Sequence, residues 1–288
     1  MKIIQSFAQF DEGSFYTKDH EDRKETTYLN FYSMLLSVLT LQKYYGKVTM
    51  YCNQKAHDSF IKYLPYHEIK IVENKNPFLY WSYYKVDIIK RQRASKFIHV
   101  DPDVFIFDDL FSRFMKTDEL EIMVQDTIPK NLNPIRGEMG TIRKYLESIN
   151  DIHYKYCDGR AFSNGVVGMT QDIKKKFVSI CEVLKKGIDS GKMAVNPDVV
   201  GMIAEELALY LVAMHENTNC YEILPYDEVL KDGSRETANK HKFTHMWGST
   251  KFNPQYIEAM KLKIRKEFPL FGDLIDQYDN EVMTNVNV

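Results

Sequence analysis

The chain has 288 residues, of which 44% are hydrophobic and 27% charged, and its formal net charge is −2. This composition is typical of a globular protein rather than a disordered one, and the length allows one large α/β domain or two small ones. Because no long lysine or arginine run is present, the sequence lacks the electrostatic signature of a duplex-binding protein, and no nucleic-acid partner is expected.

The cysteines and the apolar segments indicate the cellular compartment in which the protein is expected. The four cysteines, which show no C-x-x-C pair and no metal-binding spacing, are Cys52, Cys157, Cys181 and Cys220. We expect reduced thiols and a cytoplasmic protein. The N-terminus predicts a short strand rather than a signal peptide, and no window approaches the roughly 20 apolar residues of a membrane span, so no transmembrane segment is expected.

The first part of the chain alternates predicted strands and helices. Strands are predicted at 2–8, 47–52 and 68–72, and helices at 26–45 and 56–64. This alternation is typical of a doubly wound parallel sheet.

The next predicted strand ends on two carboxylates. A helix predicted at 78–93 leads into the apolar stretch 96–107, in which Asp101 and Asp103 flank Pro102. Proline favours an exit from a sheet, and parallel sheets bind ligands just beyond the carboxyl ends of their strands. Two converging carboxylates need a positive partner, and a divalent cation is the obvious one.

The second half of the chain is less regular. Predicted strands lie at 121–126 and at 161–169, the latter broken by Asn-Gly, and an irregular stretch with an amphipathic helix at 140–149 lies between them. Further helices are predicted at 173–186, 198–214 and 254–267, with a polar segment at 231–242 and a loose polar tail from Asp279. With no internal repeat or linker, we predict a single domain over 1–288, in which 250–288 form a C-terminal helical extension and polar tail.

A second motif, His245-x-x-Gly248-x-x-Lys251, lies near the C-terminus. Imidazole is a common metal ligand, glycine lets the backbone approach a ligand closely, and lysine binds phosphate. Alone these are ordinary loop residues, but together with Asp101 and Asp103 they indicate a metal and phosphate site.

The motifs together resemble those of GT-A fold glycosyltransferases, most closely glycosyltransferase family 8, the glycogenin and galactosyltransferase-like group. The matching segments are Trp81-Ser82-x-x-Lys85 before the Asp101-Pro102-Asp103 strand, Asp126 at the end of the next strand, Phe162-Ser163-Asn164-Gly165-Val166, and the His245 motif. The resemblance implies an α/β, GT-A (Rossmann-like) fold, with a mixed, mostly parallel sheet covered by helices on both faces.

The resemblance also implies an activity, that of a metal-dependent, hexosyltransferase-like enzyme that moves a sugar from a nucleotide sugar, in the first instance a UDP-sugar, with retention. It implies that Mn²⁺ or Mg²⁺ is held by Asp101, Asp103 and His245. The implied donor-binding residues are Lys85, Asp101, Asn164, Gly248 and Lys251.

Three catalytic candidates follow from the same resemblance: Asp126, which would line the donor sugar with Asn164, and Glu205 and Glu206. The two glutamates stand where the family has an Asp-Gln pair. They either orient the acceptor or stabilise the cationic sugar, or they form an exposed charged helix face. The order Ser163-Asn164 inverts the Asn-Ser of the family. His99, within the apolar strand, is expected to be a satisfied core histidine.

Two other functions remain open. A sugar-phosphate nucleotidyltransferase would use the same kind of sheet, but the first strand is not followed by a glycine-rich phosphate loop. A non-catalytic carbohydrate-binding protein of the same fold is the other alternative. The acceptor expected by analogy is a glycan or glycolipid.

Overall fold

The computed structural model describes residues 2–9, 23–76, 80–246 and 253–286, without the side chains of 23–29 and 281–286. The strands in these ranges are β1 Lys2–Phe7, β2 Val48–Cys52, β3 Glu68–Ile71, β4 Lys96–Val100, β5 Val104–Ile106, β6 Ile122–Ile128, β7 Ala161–Thr170, β8 Cys220–Glu222 and β9 Phe243–His245.

Helices connect most of these strands. They are α1 Arg23–Tyr45, α2 Gln54–Ser59, α3 Tyr83–Lys90, α4 Ser112–Lys116, α5 Met139–Ser148, α6 Gln171–Asp189, α7 Val200–Met202, α8 Ala208–Glu216, α9 Tyr226–Asp232, α10 Ser234–Lys240, α11 Pro254–Glu267 and α12 Gly272–Val286. A π-helical turn, Ile203–Leu207, joins α7 to α8.

Seven strands form one sheet in the order β3-β2-β1-β4-β7-β6-β8. The pairs of β1 with β2, β1 with β4, β2 with β3 and β6 with β8 are parallel, whereas β7 is antiparallel to both of its neighbours. β5 and β9 form a separate antiparallel pair. The predicted mixed, mostly parallel α/β sheet is therefore confirmed.

Helices cover both faces of this sheet. Because side chains alternate along a strand, neighbouring residues enter different apolar clusters. Ile4 and Phe97 pack into a cluster that contains buried residues of α3, α6 and α8. Ile3 and Ile98 pack into another cluster with residues of α1. The double coverage explains why β1 and β4 are apolar on both sides.

Several boundaries differ from the sequence-based prediction. The stretch 96–107 is two strands in two sheets, separated by the Asp101–Asp103 turn. β7 runs without a break through Asn164 and Gly165, but its pairing with β6 shifts register there. The edge strand β8 is too short to give a periodic signal. Helices α9 and α10 occupy much of the polar segment 231–242.

The C-terminal helices complete the core beside α1. The predicted loose tail from Asp279 is wrong as far as Val286, because α12 continues to that residue. Tyr278 of α12 stacks on Phe31 of α1 with ring centroids 3.7 Å apart, and Ile275 is fully buried. Apolar packing therefore holds α12 against α1, although most residues of α12 are polar.

All four cysteines are free thiols, with Cys52 and Cys181 buried. No helix within the described ranges combines the length and the apolar character needed to cross a bilayer.

Replacing Ile275 by alanine tests the packing of α12. We expect Ile275→Ala to lower the free energy of unfolding by about 2–4 kcal/mol, because it leaves a cavity in a closed cluster. Leu270→Ala is the matched control, since Leu270 is 92% exposed, and it should change stability by no more than about 0.5 kcal/mol. Urea denaturation measures both, and equal effects would show that α12 does not pack on α1.

Candidate functional site

The turn between β4 and β5 is fixed through its backbone. The Asp101 amide donates to the Gly165 carbonyl of β7 at 2.7 Å, and the Val104 amide donates to the Asp101 carbonyl at 3.1 Å. The fully buried Gln5 of β1 donates from Nε2 to the same carbonyl at 3.2 Å. Sequence reasoning missed Gln5, which is polar in an otherwise apolar strand and therefore needs a partner.

The β5–β9 pair brings His245 to this turn. Val104 and His245 are register partners, and the Met246 amide donates to the Asp103 carbonyl at 3.1 Å. His245 Nε2 lies 3.4 Å from Asp103 Oδ1. One side-chain ligand atom from each of Asp101, Asp103 and His245 lies within 4.8 Å of the other two. Ligand atoms around Mg²⁺ are roughly 3–4 Å apart, so the cluster has nearly the span of a metal site.

Gln125 of β6 sets the tautomer of His245. Its Oε1 lies 2.8 Å from His245 Nδ1. An amide oxygen only accepts, so Nδ1–H donates to it and Nε2 is the ring nitrogen on the side of Asp103. A histidine that ligates a metal is usually held in this way through its second nitrogen. No motif pointed to Gln125.

Gly165 leaves the space that this contact requires. A Cβ at Gly165 would lie 2.4 Å from His245 Nδ1 and 2.6 Å from Gln125 Oε1. Any side chain there would push the imidazole or the amide out of place. The register shift of β7 opposite Val124 and Asp126 occurs at this position, and such irregularities are frequent next to active sites.

Lys85 of α3 places a buried ammonium among these groups. Its Nζ lies 2.8 Å from Asp101 Oδ1 and 3.1 Å from Glu205 Oε2. It also donates to the Asn164 carbonyl at 2.6 Å. Burial opposes its charged form, but Asp101 and Glu205 outweigh this effect and raise the pKa of Lys85 above its ordinary value. Lys85 is therefore charged at neutral pH.

The π-helical turn carries both candidate glutamates. Asn164 Nδ2 donates to the Glu205 carbonyl at 2.6 Å. Burial raises the pKa of Glu205 to about 7, against the opposing effect of Lys85. Burial, followed by the neighbouring Glu205, raises the pKa of the half-buried Glu206 well above its ordinary value. Glu205 is buried, so it is not part of an exposed charged face. π-Helical turns are frequent at functional sites.

Asp126 and Asn164 each contribute a buried oxygen atom to the site. Asp126 Oδ1 and Asn164 Oδ1 make no hydrogen bond to any residue that the structure describes. Burial raises the pKa of Asp126 to about 6, while the Ser163 side chain opposes the shift by hydrogen bonding. A buried acceptor without a donor is costly, so each oxygen needs a donor from outside the described chain, from water or from a ligand.

His99 is buried and neutral, because burial and then Lys85 lower its pKa well below the ordinary range. Its Nε2 lies 2.8 Å from the Ser6 hydroxyl. Its Nδ1 is 3.6 Å from Asp101 Oδ1 and has no hydrogen bond among the described residues. The prediction of a core histidine is confirmed, but its ring is only half satisfied.

The structure thus places most of the predicted site residues in one region at the carboxyl ends of β4 and β6. These residues are Lys85, Asp101, Asp103, Asp126, Asn164, Glu205, Glu206 and His245. Gly248 and Lys251 lie outside the described residues, so their donor-binding roles stay predictions.

Gly165→Ala tests the close approach of β7 to His245. We expect the free energy of unfolding to fall by about 1–3 kcal/mol, because the added methyl overlaps His245 and Gln125. Gly140→Ala in α5 is the matched control, since its added Cβ meets nothing within 4 Å, and it should stabilise by about 0.5–1 kcal/mol. If urea denaturation finds both variants stabilised, the contact is not formed.

Lys85→Met tests the buried ion pairs. Removing the ammonium leaves Asp101 and Glu205 without their counter-charge, and we expect a loss of about 3–5 kcal/mol in unfolding free energy. Lys90→Met, at the end of the same helix, removes an exposed pair with Glu182 and should cost no more than about 1 kcal/mol. Equal losses in denaturation experiments would contradict the account of Lys85.

Comparisons with known proteins give a family and a structural likeness. No curated protein sequence matches the chain. Among solved structures, the chain is similar to the galactosyltransferase LgtC in complex with donor and acceptor sugar analogues, with 11% identity, 90% of this chain and 95% of that chain covered, and a TM-score of 0.48. A family model, described as a family of unknown function (DUF6734), matches residues 1–277. Since that match spans nearly the whole chain, the protein belongs to the DUF6734 family.

Proposed function

We propose that the protein is a metal-dependent glycosyltransferase that transfers a sugar from a nucleotide sugar, in the first instance a UDP-sugar. One observation carries the proposal: Asp101, Asp103 and His245, which are distant in sequence, offer ligand atoms within 4.8 Å of one another. This is the ligand set that the resemblance to glycosyltransferase family 8 implies. The same resemblance implies retention of anomeric configuration.

The donor set suits Mn²⁺ or Mg²⁺. Two carboxylates provide the oxygen ligands that these hard cations prefer, and Nε2 of His245 would be the nitrogen ligand because Gln125 occupies Nδ1. Asp103 and His245 would be the closer pair of ligands. Asp101 is shared with Lys85. A bound divalent cation would neutralise the negative charge that grows on the diphosphate leaving group.

The remaining residues suit a sugar donor. Asp126 Oδ1 and Asn164 Oδ1 are buried acceptors without donors among the residues described, and sugar hydroxyls are donors of the right kind. We assign both residues to the donor sugar. Glycosyl transfer passes through an oxocarbenium-like state, and the Asp126 carboxylate, with a pKa of about 6, supplies negative charge in the same region. Glu205 and Glu206, whose pKa values burial raises further, would act there as proton-holding carboxyl groups that orient the acceptor.

Lys85 has a positioning role in this proposal. Its ammonium is engaged by Asp101, Glu205 and the Asn164 carbonyl, so it orients the metal ligand, the sugar-binding amide and the π-helical turn together. Its fixed positive charge also favours a diphosphate nearby. A glycan or glycolipid acceptor at the cytoplasmic side of a membrane completes the proposal.

The activity is tested by donor hydrolysis across a panel of nucleotide sugars, with and without Mn²⁺. We expect hydrolysis of at least one UDP-sugar that EDTA abolishes and Mn²⁺ restores. Incorporation of label from a nucleoside triphosphate and a sugar phosphate would instead identify a nucleotidyltransferase. Metal-independent sugar binding without turnover would identify a carbohydrate-binding protein.

The metal site is tested separately by calorimetric titration of Mn²⁺. Asp103→Asn should weaken Mn²⁺ binding by at least about tenfold, because a charged oxygen ligand becomes a neutral amide. Asp118→Asn removes the same charge from an exposed position outside the site and should leave the affinity within about twofold. Equal Mn²⁺ affinity in the two variants would contradict the assignment of Asp103 as a ligand.

A further inference from the structure

We propose that a second site binds a ligand carrying two or more clustered phosphate groups. The site is an open surface pocket of about 910 Å³ whose wall includes Lys70, Lys90, Arg91, Arg93 and Lys174. Arg91 and Arg93 precede the amino end of β4, whereas Asp101 follows its carboxyl end. β4 spans roughly 13 Å, so these arginines are separate from the candidate metal site.

The wall of this pocket is positively charged in a protein of net charge −2. Its lining contains no acidic residue within the described part of the chain. Lys70 pairs with Glu68 at 3.1 Å and Lys90 with Glu182 at 2.6 Å.

The other three cations are not neutralised by a described carboxylate, although Lys174 Nζ donates to the Lys90 and Gln92 carbonyls. Arg91, Arg93 and Lys174 form no ion pair with any acid that the structure describes. Like charges held together repel one another and raise the local potential for anions. The arrangement therefore fits an anionic ligand better than a purely structural role.

The backbone of the segment that carries the exposed Arg91 and Arg93 side chains is held in place. Lys174 Nζ donates to the Gln92 carbonyl at 2.7 Å, and Gln171 Nε2 donates to the same carbonyl at 3.1 Å. The buried Gln92 side chain donates to the Ile88 carbonyl at 2.7 Å. These bonds fasten the start of α6 to the segment that carries Arg91 and Arg93. A preorganised site loses less entropy when its ligand binds.

Chemistry and shape together narrow the ligand class. Arginine presents a planar fork of donors that matches phosphate oxygens, and lysine adds a point charge. The volume lies in the range of small-molecule sites, and the cations surround one pocket instead of lining an extended stripe. This geometry favours a compact polyphosphate group, free or on a lipid headgroup, over a nucleic-acid strand.

The test is calorimetric titration with inorganic tripolyphosphate in EDTA, using the otherwise intact Asp103→Asn protein so that the metal site does not contribute. We expect Arg91→Gln/Arg93→Gln to weaken binding by at least tenfold. Arg143→Gln/Lys144→Gln, an equal charge change on the exposed side of α5, should change it by less than twofold. Thermal melts of both double variants control for folding, which these exposed substitutions should leave intact.

Phosphoinositide-containing and phosphatidylcholine vesicles form the second arm. Tripolyphosphate binding that depends on Arg91 and Arg93 would support the site and identify a free ligand. Binding of phosphoinositide vesicles alone, with the same dependence, would support the site and identify a lipid headgroup. Equal loss in both double variants would overturn the proposal as non-specific attraction. The proposal would also be overturned if neither tripolyphosphate nor phosphoinositide vesicles bind. It would be overturned as well if a single-stranded oligonucleotide binds through these arginines more tightly than tripolyphosphate does.

Discussion

The candidate site depends on one buried ammonium. Lys85 Nζ contacts Asp101, Glu205 and the Asn164 carbonyl, which belong to the β4–β5 turn, the π-helical turn and β7. Buried carboxylates are tolerated only when they are paired, so the charge on Lys85 allows Glu205 to be buried next to the partly exposed Asp101. Three segments that are far apart in sequence are held in one arrangement by this charge.

The reversed direction of β7 brings further site residues to the same edge of the sheet. Since β7 is antiparallel to β4 and β6, its early residues Asn164 and Gly165 lie beside the carboxyl ends of both neighbours. Gly165 leaves room for the contact of Gln125 with His245. The small β5–β9 sheet then brings His245 back to Asp103. A parallel strand in this position would have carried the same residues to the opposite edge of the sheet.

The sequence predicted individual helices and strands better than it predicted how the strands pair and in which direction they run. Strong periodicity and apolar runs located α1, α6 and β4, because burial on both faces leaves a direct pattern in composition. The direction of β7, the edge strand β8 and the two-stranded sheet depend on long-range pairing and left no local signal. The helix α12 was missed because its polar residues dominate its composition, while the few buried ones, Ile275 and Tyr278, attach it to the core.

The site residues also divide into those that the sequence indicated and those that only the fold reveals. Asp101, Asp103 and His245 stood out because their residue types and positions match a family motif, whereas Gln5, Gln125 and His99 act through contacts that only the folded chain creates. The proposed activity requires that Asp101, Asp103 and His245 bind one divalent cation. Anomalous diffraction from crystals soaked with Mn²⁺ and UDP tests this requirement. We expect an anomalous peak bonded to Asp101, Asp103 and His245 Nε2, with the diphosphate beside it; a nucleotide bound elsewhere, or here without such a peak, would contradict the metal site.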